Sequence, residues 1–422
     1  MTAFDTLPNS WTKPKVSYEY EVTLGKMIQS VPTKDSSISC LYHKSATVQD
    51  GRIEEPATGM YANQADIQRL SIHKGDLLVC EGGDIARSAL VADEPDTPVI
   101  FQNSVHRVRS RGKHSVEWLH YVLQHLRRSG GIEAIVGEKN TIAHFTNETF
   151  RKVHIPLPPI DIENSLVTLL NSKCAAIDSL IAAKQVLLDR LREYRAAVIN
   201  NAVTEEQWSG SSGQWQKYPF SQLFILGRGL GITKADLVQT GVACLSYGQI
   251  HSYCNGFYDD SKHKLPFVSE EYLSSAPESL LHKGDFVFAD TSEDLEGAGN
   301  CSCVIGDGPV FAGYHTIIAR PVRDVNSRYL GYYFQSDDFR KQIREEVNGI
   351  KVYSITNTIL KRTRIALPPI VVQEQIATEL DKKCSTIATL VNQEQTAIET
   401  LKEYRQSLIT AAVTGQLDLD NN

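Results

Sequence analysis

The sequence has little that would suit a membrane-bound or a disulfide-stabilised protein. Its eight cysteines are scattered and include no Cys-x-x-Cys pair, so we expect reduced, mostly buried thiols in a cytoplasmic protein. No apolar run approaches the roughly 20 residues that a transmembrane helix needs. The N-terminal segment also lacks the apolar core of a secretory signal. The sequence therefore predicts no membrane partner.

Catalytic motifs are missing as well. The Asn/Asp-Pro-Pro-Tyr motif of methyltransferases does not occur. The glycine-rich stretch 227–231 has neither the Walker pattern nor the dinucleotide-binding pattern. Cys301 and Cys303 have no second cysteine pair at the spacing of a zinc site. We therefore predict no catalytic residue, no metal site and no cofactor.

The net charge of −7 at first argues against DNA binding. The acidic excess lies almost entirely in residues 155–208 and 365–422, whereas residues 1–154 carry as many basic as acidic side chains. A near-neutral domain can still present a basic face, because DNA affinity depends on local charge. Composition thus permits DNA binding without showing it.

An internal repeat is the strongest feature of the sequence. Residues 155–204 align without a gap with residues 365–414, at an offset of 210. The matches include the Pro-Pro pairs 158–159 and 368–369, Cys174 with Cys384, and the Glu-Tyr-Arg triplets 193–195 and 403–405. Fainter matches lie upstream: the His-Lys-Gly-Asp turns 73–76 and 282–285, Gly25 with Gly229, and Cys40 with Cys244. The chain is thus a tandem duplication of a globular part followed by a helical part.

The helical parts have a clear pattern. Each follows a Leu-Pro-Pro turn, which cannot lie inside a helix, and then runs for about forty residues without Pro or Gly. Apolar residues step by three and four, which predicts a helix of about 60 Å at 1.5 Å per residue. A long, narrow apolar stripe favours a coiled-coil seam between the two helices, paired antiparallel. Two independent core helices are the alternative.

The globular parts have β-rich patterns. Residues 75–80 and 284–289 each predict a turn followed by a short buried strand. Residues 104–109 alternate polar and apolar side chains, which is typical of a half-exposed strand. Shorter helices are plausible at 116–129 and 326–345. Each globular part is therefore predicted to be α+β.

The whole chain resembles the specificity subunits of type I restriction–modification enzymes. The resemblance lies in the order globular–helix–globular–helix, the Leu-Pro-Pro-Ile entry into each helix, the Tyr-Arg pair near each helix end, and the closing stretches NNAVT and TAAVTGQLD. It implies two target-recognition domains at 1–154 and 209–364, and helical regions at 155–208 and 365–422. The implied fold class is α+β, with two β-rich domains separated by two long helices that form an antiparallel coiled coil with a pseudo-two-fold repeat.

The resemblance also implies the function of each part. The globular domains would each recognise one half of a bipartite double-stranded DNA target, and the helices would set the unspecified gap between the halves. Two methyltransferase subunits would dock against the helices, and restriction subunits would join in the nuclease form. The Tyr-Arg pairs supply the candidate docking residues: Tyr194, Arg195, Tyr404 and Arg405. The methyl donor and ATP would belong to those partners.

Candidate DNA contacts are polar side chains on loops and strands of the two domains. In the first domain they are Arg87, Ser88, His106, Arg107, Arg109, Arg111, Lys139 and Asn140. In the second they are Tyr247, Gln249, His251, Thr291, Ser292, Tyr314, His315, Arg320, Lys351 and Tyr353. Arginine can grip phosphate or guanine, and glutamine suits an adenine edge. The basic run of the first domain is equally typical of a solvated strand, and the acidic stretch 290–294 of a solvated turn.

Two other functions compete with this interpretation. A coiled-coil adaptor that binds only proteins would have no sequence-dependent DNA affinity. A self-contained methyltransferase or nuclease would need the motifs that the sequence lacks. The two globular parts differ strongly between their matched anchors, which favours two different DNA half-sites over a protein that binds one ligand twice.

Overall fold

The computed structural model describes residues 4, 6–137, 144–204, 215–347, 349 and 352–417. The chain divides into two compact units, which interleave along the sequence. Unit 1 comprises Met1–Lys184 together with Thr396–Asn422, and unit 2 comprises Gln185–Gln395. The predicted helical regions 155–208 and 365–422 therefore each contribute to both units.

Unit 1 begins with a globular α+β part. Its strands are β1 (Tyr20–Leu24), β2 (Ile38–His43), β3 (Val48–Gln49), β4 (Arg52–Ile53), β5 (Ala57–Ala62), β6 (Leu77–Cys80), β7 (Ser88–Leu90), β8 (Val99–Phe101) and β9 (Val105–Ser110). Its helices are α1 (Val16–Glu19), α2 (Gln64–Leu70), α3 (Val116–Arg128), α4 (Gly131–Val136) and α5 (Asn147–Lys152). The main sheet is antiparallel with the order β1-β9-β6-β7, a second sheet has the order β5-β2-β8, and β3 pairs with β4.

Both faces of the unit 1 main sheet are covered. Along β6, Leu77 and Val79 join the core that contains α3, whereas Leu78 and Cys80 join the core of the second sheet. The segment 75–80 is therefore a turn and a fully buried strand, as predicted. The strand predicted at 104–109 also exists, as β9, but it is not half-exposed. It lies between β1 and β6, and its first four residues are buried because both faces of the sheet are covered, whereas Ser110 at its end is exposed.

Unit 2 repeats this plan with longer connections. Its strands are β10 (Gln216–Pro219), β11 (Phe224–Arg228), β12 (Val242–Leu245), β13 (Gly256–Tyr258), β14 (Phe267–Val268), β15 (Leu280–Leu281), β16 (Phe286–Ala289), β17 (Thr291–Ser292), β18 (Cys301–Val304), β19 (Val310–Ala312), β20 (Thr316–Pro321), β21 (Tyr353–Ser354) and β22 (Arg364–Leu367). The main sheet has the order β11-β20-β16-β18-β13, and the second sheet β14-β12-β19-β15. Short pairs join β10 with β22 and β17 with β21.

The short helices of the two units differ. Unit 2 contains α7 (Phe220–Leu223), α8 (Tyr247–His251), α9 (Tyr272–Ser275), α10 (Ser327–Tyr333), α11 (Asp337–Arg344) and α12 (Asn357–Arg362). The helix predicted at 116–129 is α3. The single helix predicted at 326–345 is instead split into α10 and α11, because the chain turns at 334–336. There the Ser336 hydroxyl donates to the Tyr333 carbonyl at 2.6 Å.

The long helices are those that the sequence predicts, α6 (Ile160–Ala202) and α13 (Ile370–Val413), and each begins directly after its Pro-Pro pair. The side chain at the fourth position of each long helix joins the start of that helix to a neighbouring helix. The buried Glu163 carboxylate accepts from the Ser115 backbone N–H at 2.7 Å, and the Gln373 amide oxygen accepts from the Asn326 N–H at 2.9 Å. Both acceptors hold the start of the neighbouring short helix.

Within each unit, segments of α6 and α13 pack together in opposite directions. In unit 1, Leu170 and Cys174 of α6 share a core with Leu408 and Ile409 near the end of α13. In unit 2, Ile199 near the end of α6 shares a core with residues 372–384 near the start of α13. The predicted fold class, two α+β domains with long helices in an antiparallel coiled coil, is confirmed.

The α6 helix corrects the expectation about apolar runs. By length and composition alone it could cross a membrane, with a mean hydropathy of 1.4 over its most apolar stretch. One such helix is weak evidence for a membrane span. Its Leu166, Leu170 and Cys174 side chains pack in the core of unit 1, and its polar Asn171 accepts a 2.7 Å hydrogen bond from the Tyr121 hydroxyl.

The cysteines and glycines that match between the two copies of the repeat have structural roles. All eight cysteines are free and buried, as predicted. A Cβ atom on Gly25 would lie 2.2 Å from the Gln102 carbonyl oxygen, and one on Gly229 would lie 2.1 Å from the Gly313 carbonyl oxygen. Only glycine allows this close approach of two backbones, so the same position is glycine in both units.

The repeated His-Lys-Gly-Asp turn ends in an ion pair between a buried carboxylate and a partly exposed guanidinium. The Asp76 carboxylate accepts from the His73 N–H at 2.7 Å and lies 2.5 and 2.8 Å from two nitrogens of Arg109. In unit 2, Asp285 accepts from the His282 N–H at 2.9 Å and from Arg320 Nε at 3.2 Å. We call each Asp–Arg pair the turn latch of its unit.

Removal of the turn latch carboxylate should destabilise the fold. We expect Asp76→Ala to lower the free energy of unfolding by about 2 kcal/mol, because it leaves a half-buried guanidinium and a backbone N–H without an acceptor. Chemical denaturation measures this, with the exposed Asp93→Ala as the control that changes it by less than about 0.5 kcal/mol. Equal midpoints for the two variants would contradict a role of the latch in stability.

Candidate nucleic-acid interface

Unit 2 has a cavity of about 800 Å³ at one end of its main sheet, where β16 ends and β20 begins. Its walls come from α8, the connection 290–300 and the turn before β20. Five of the predicted DNA contacts line this cavity: Tyr247, His251, Thr291, Ser292 and His315. These residues are separated in sequence, and the fold brings them together.

His251 joins two walls of the cavity. Its Nε2 lies 2.7 Å from the Thr291 carbonyl oxygen, and its Nδ1 lies 2.9 Å from the Asn300 side-chain amide nitrogen. Because the carbonyl only accepts and the amide nitrogen only donates, Nε2 carries the proton and Nδ1 accepts. His251 therefore holds α8 against the connection 290–300, which fixes the width of the cavity.

Tyr247 of α8 also contacts two aromatic residues of the turn before β20. The Tyr247 ring centroid lies 5.7 Å from that of Tyr314 and 5.4 Å from that of His315, in edge-on arrangements. His315 is exposed and has a φ of +56°, a conformation that a non-glycine residue rarely adopts. The Thr316 hydroxyl, which donates to the Gly313 carbonyl at 2.6 Å, holds this turn. Strained residues of this kind concentrate at functional sites.

Two arginines that the sequence analysis missed support the acidic wall. Arg340 Nη1 and Arg344 Nη2 each donate to the Glu296 carbonyl oxygen at 3.0 Å. The side chains of Glu293 and Asp294 remain exposed. Both arginines lie on α11, more than forty residues after the acidic stretch, so no local sequence pattern indicated the contact.

The chemistry of this cavity suits base edges better than phosphates. Exposed carboxylates repel phosphate, but they accept hydrogen bonds from cytosine amino groups. Tyrosine and histidine add apolar contact area together with polar atoms. The site therefore combines donors and acceptors, as a surface that discriminates bases needs.

The remaining contacts predicted in unit 2 have partners within the unit. The Gln249 amide oxygen accepts from the Ser246 N–H at 3.1 Å and so caps α8. Tyr353 lies in β21, paired with Ser292 of β17, and therefore borders the cavity through its backbone. Arg320 belongs to the turn latch and also donates to the Leu280 carbonyl at 2.6 Å, so it has a structural role, and its assignment as a DNA contact stays a prediction.

The corresponding end of the unit 1 sheet carries the connection 81–87, which we call the recognition loop. Arg87 donates to the Ser45 carbonyl at 2.6 Å, and Arg127 donates to both Asp84 carboxylate oxygens at 2.8 Å. Ala86 has a φ of +58°. The recognition loop is thus held at its sides, and its Gly83 and Asp84 remain exposed.

Three of the contacts predicted in unit 1 are interior residues. Ser88, His106 and Arg107 are between 0% and 4% exposed. Arg107 donates to the carbonyls of Arg69 and Ser71 at 3.1 and 2.7 Å, so it ties α2 to the sheet. The alternation along β9 indicated an exposed face, but the second sheet covers that face. These residues are therefore corrected to structural residues.

Two further arginines of unit 1 lie away from the recognition loop. Arg109 belongs to the turn latch. Arg111 is exposed, but it follows the end of β9, whereas the recognition loop adjoins the start of β9. At about 3.3 Å per strand residue, the two ends are about 20 Å apart. Neither arginine lies at the recognition loop, and their assignment as DNA contacts stays a prediction. Lys139, Asn140 and Lys351 lie outside the described residues.

In each of the two Tyr-Arg pairs, the tyrosine is exposed and the arginine has a partner inside its unit. Tyr194 and Tyr404 are 58% and 54% exposed. Arg195 instead donates to the Gln335 amide oxygen at 2.8 Å, and Arg405 donates to the Gln124 amide oxygen at 2.9 Å. We call each Arg–Gln pair the helix clamp of its unit. The glutamines were missed, although their separation of 211 matches the repeat.

Comparisons with known proteins agree with this architecture. Residues 214–400 match the family model of the type I restriction modification DNA specificity domain. The chain is similar to the specificity subunit of the type I restriction enzyme MjaVIII of Methanocaldococcus jannaschii, with 20% identity over 293 residues, 66% of each chain. It is also similar to the EcoKI specificity subunit of Escherichia coli, with 23% identity over 282 residues, 64% of this chain and 59% of that one. The matched regions span a little less than two thirds of these relatives.

Solved structures show the same fold. A chain from a study of complex assembly and conformational transition of the type I R-M system has a TM-score of 0.73 at 16% identity, with 97% of this chain and 99% of that chain covered. The HsdS subunit from Thermoanaerobacter tengcongensis has a TM-score of 0.53 at 16% identity, with 97% and 98% covered. At these identities the likeness concerns the fold.

Unit 1 should lose stability in mild acid. Burial lowers the pKa of His43, His106 and His120 to about 4. As the pH falls below 6.5, the unfolded chain therefore takes up protons before the folded chain does, and stability decreases until the pH reaches about 4. The loss is on the order of 3 kcal/mol for each fully buried histidine. Calorimetric unfolding at pH 7, 6 and 5 measures it.

Removal of one buried histidine should weaken this pH dependence. We expect His106→Phe to have a smaller decrease in melting temperature between pH 7 and pH 5 than the wild type has. The control Phe101→Leu destabilises the same unit without removing a titratable group, so it should retain the wild-type slope. If His106→Phe also retained the slope, the acid sensitivity would have another origin.

Proposed function

We propose that this chain, which belongs to the family of type I restriction–modification specificity subunits, is the non-catalytic DNA-recognition subunit of such a system. Each unit recognises one half of a bipartite double-stranded DNA target. The chain also carries two methyltransferase subunits, and restriction subunits join in the nuclease form. The methyl donor and ATP are bound by those partners, and the complex works in the cytoplasm.

The main observation behind this proposal is that the two units share a sheet arrangement but have different loops at the same end of the sheet. The main sheets of the two units share the order of four strands, to which unit 2 adds β13, and they have the same turn latch. At the corresponding sheet end, unit 1 has the recognition loop 81–87, whereas unit 2 has the longer connection 290–300 with β17 inside it. One frame with two sets of polar side chains suits two different half-sites.

The lengths of the long helices support a fixed gap between the half-sites. The α6 helix has 43 residues and α13 has 44, so each is about 65 Å long at 1.5 Å per residue. Two matched helices in a coiled coil are stiff, and the half-site spacing of paired DNA readers follows from protein dimensions. A change in helix length should therefore change the gap without changing the bases read.

The target motif tests this function directly. The chain is co-expressed with the methyltransferase subunit of its own system, and modified adenines are mapped over the genome. We expect one split motif, with two short specified halves and a constant gap.

Exchange of residues 209–364 for those of another family member should change one half only. Deletion of four residues within 182–188 should disturb the gap or the assembly. Continuous or absent motifs would contradict the proposal and favour a protein adaptor.

A single substitution in the unit 2 cavity should relax one half-site. We expect Tyr247→Ala to reduce discrimination against single substitutions in that half by about tenfold, because a contacted base pair contributes roughly 1–3 kcal/mol. The other half should be unaffected. Methylation rates on matched and substituted duplexes measure this effect. Tyr253→Ala, which removes an exposed tyrosine of unit 2 that does not line the cavity, is the control that leaves both halves unchanged.

The exposed tyrosines of the Tyr-Arg pairs are proposed methyltransferase contacts. Large exposed aromatic side chains are enriched among residues that dominate interface energies. We expect Tyr194→Ala and Tyr404→Ala each to weaken methyltransferase binding by about tenfold or more in sedimentation or pull-down titrations. Tyr18→Ala removes a tyrosine of similar exposure, 67%, and should leave the affinity unchanged. Equal effects of all three variants would contradict this assignment.

A further inference from the structure

In unit 1 the helix clamp continues as a chain of buried side chains to the recognition loop. The Ser88 hydroxyl lies 2.9 Å from His120 Nδ1, and the Gln124 amide nitrogen lies 2.6 Å from His120 Nε2. Arg405 Nη1 then donates to the Gln124 amide oxygen at 2.9 Å. Arg405 Nε lies 2.9 Å from the Asp178 carboxylate. The chain thus joins β7, α3, α13 and α6.

Each hydrogen bond in this chain has only one possible direction. Arg405 only donates, so the Gln124 oxygen faces it and the Gln124 amide nitrogen faces His120. The amide nitrogen also only donates, so His120 Nε2 accepts and the proton lies on Nδ1, which donates to Ser88. Burial, and then the nearby Arg405, lower the pKa of His120 to about 4, which keeps the ring neutral at pH 7. All hydrogen bonds of the chain can therefore form at the same time, with a single set of proton positions.

The first residue of the chain adjoins the recognition loop directly. Ser88 follows Arg87, pairs with Val79 in the main sheet and accepts through its carbonyl from the Gly51 N–H at 3.0 Å. Its side chain therefore lies one residue from the end of the recognition loop, on a strand that also binds the β3–β4 turn. The last residues of the chain lie on the long helices, where Arg405 adjoins the exposed Tyr404.

Unit 2 contains the helix clamp without this continuation. Gly331 lies five residues after the N-cap residue of α10, and His120 lies five residues after the N-cap residue of α3. Each clamp glutamine lies nine residues after the same N-cap residue, so Gly331 is the counterpart of His120. A Cβ atom on Gly331 would lie 2.4 Å from the Phe257 ring, so no larger side chain fits there. By strand register the counterpart of Ser88 is the buried Cys301. The polar chain therefore ends at Gln335.

We propose that His120 and Gln124 are positioning residues for recognition of the first half-site. They set the recognition loop according to the position of α13, the helix that carries the Tyr404 docking surface. Methyltransferase docking on α13 is thereby coupled to base discrimination by unit 1, whereas unit 2 discriminates independently of its helix clamp. This inference rests on the proposed function, and it assigns a role to side chains that touch neither DNA nor the partner.

The test uses the full chain in complex with its methyltransferase subunits. Methylation rates are measured on duplexes with the matched target and with single substitutions in either half. Ser88→Cys introduces the residue that unit 2 buries at the same place, so it breaks the chain with little change in packing. We expect discrimination in the first half to decrease about fivefold or more, with the second half unchanged. Gln124→Leu should have the same effect.

The matched control is Gln335→Leu, which breaks the helix clamp of unit 2, where no polar chain leads to a loop. It should lower the melting temperature about as much as Gln124→Leu does, but leave discrimination in the second half unchanged. A structural role alone would make the two glutamine variants equivalent in both measurements. If Gln335→Leu relaxed the second half as Gln124→Leu relaxes the first, the proposal would be overturned.

A double variant tests whether the residues act through one chain. Ser88→Cys with Gln124→Leu should relax the first half no further than the stronger single variant does, because either change already breaks the chain. Multiplied effects would overturn the inference. If Gln124→Leu does not fold, Ser88→Cys alone decides. A split wild-type motif with unchanged discrimination in Ser88→Cys rejects only the positioning role, whereas the absence of a split motif rejects the proposed function itself.

Discussion

The helix clamp is the interaction on which the closure of each unit depends. In unit 1, Arg405 from the second copy of the repeat holds Gln124 from the first copy. In unit 2, Arg195 from the first copy holds Gln335 from the second. A long amphipathic helix must bury its apolar stripe, and here the end of each helix does so against the globular part of the other copy. Neither copy of the repeat therefore completes its own core.

This exchange explains which positions stay matched between the two copies. The Leu-Pro-Pro entries, Cys174 with Cys384, and the clamp arginines all lie where a helix meets a globular part, and the packing is the same in both units. The turn latch and the close backbone approach at Gly25 and Gly229 hold the sheet frame in the same way. The connections at the candidate interface carry no such constraint, and they are where the two units differ in length and chemistry.

The sequence predicted the long helices and the buried strands β6 and β16 because their signals are local: a repeated apolar step, a proline stop, or a turn followed by apolar residues. It failed at Arg107, whose place in an alternating run predicted an exposed strand face, and it did not foresee the internal partners of Arg109 and Arg320. Their partners are carbonyls and carboxylates more than thirty residues away. The same distance hid Arg340 and Arg344. The cluster of Tyr247, His251 and His315 was named residue by residue, but its convergence on one cavity required the fold.

The interleaved units have a consequence for synthesis on the ribosome. Unit 1 needs Leu408, Ile409, Ala412 and Val413 to cover its core, yet residues 185–395, all of unit 2, are translated first. At about 5–20 residues per second, the core surface that these side chains will cover stays exposed for roughly ten to forty seconds. During that interval nascent unit 1 presents apolar surface to chaperones and to other nascent chains. The part of the protein that is made first is therefore the part that is finished last.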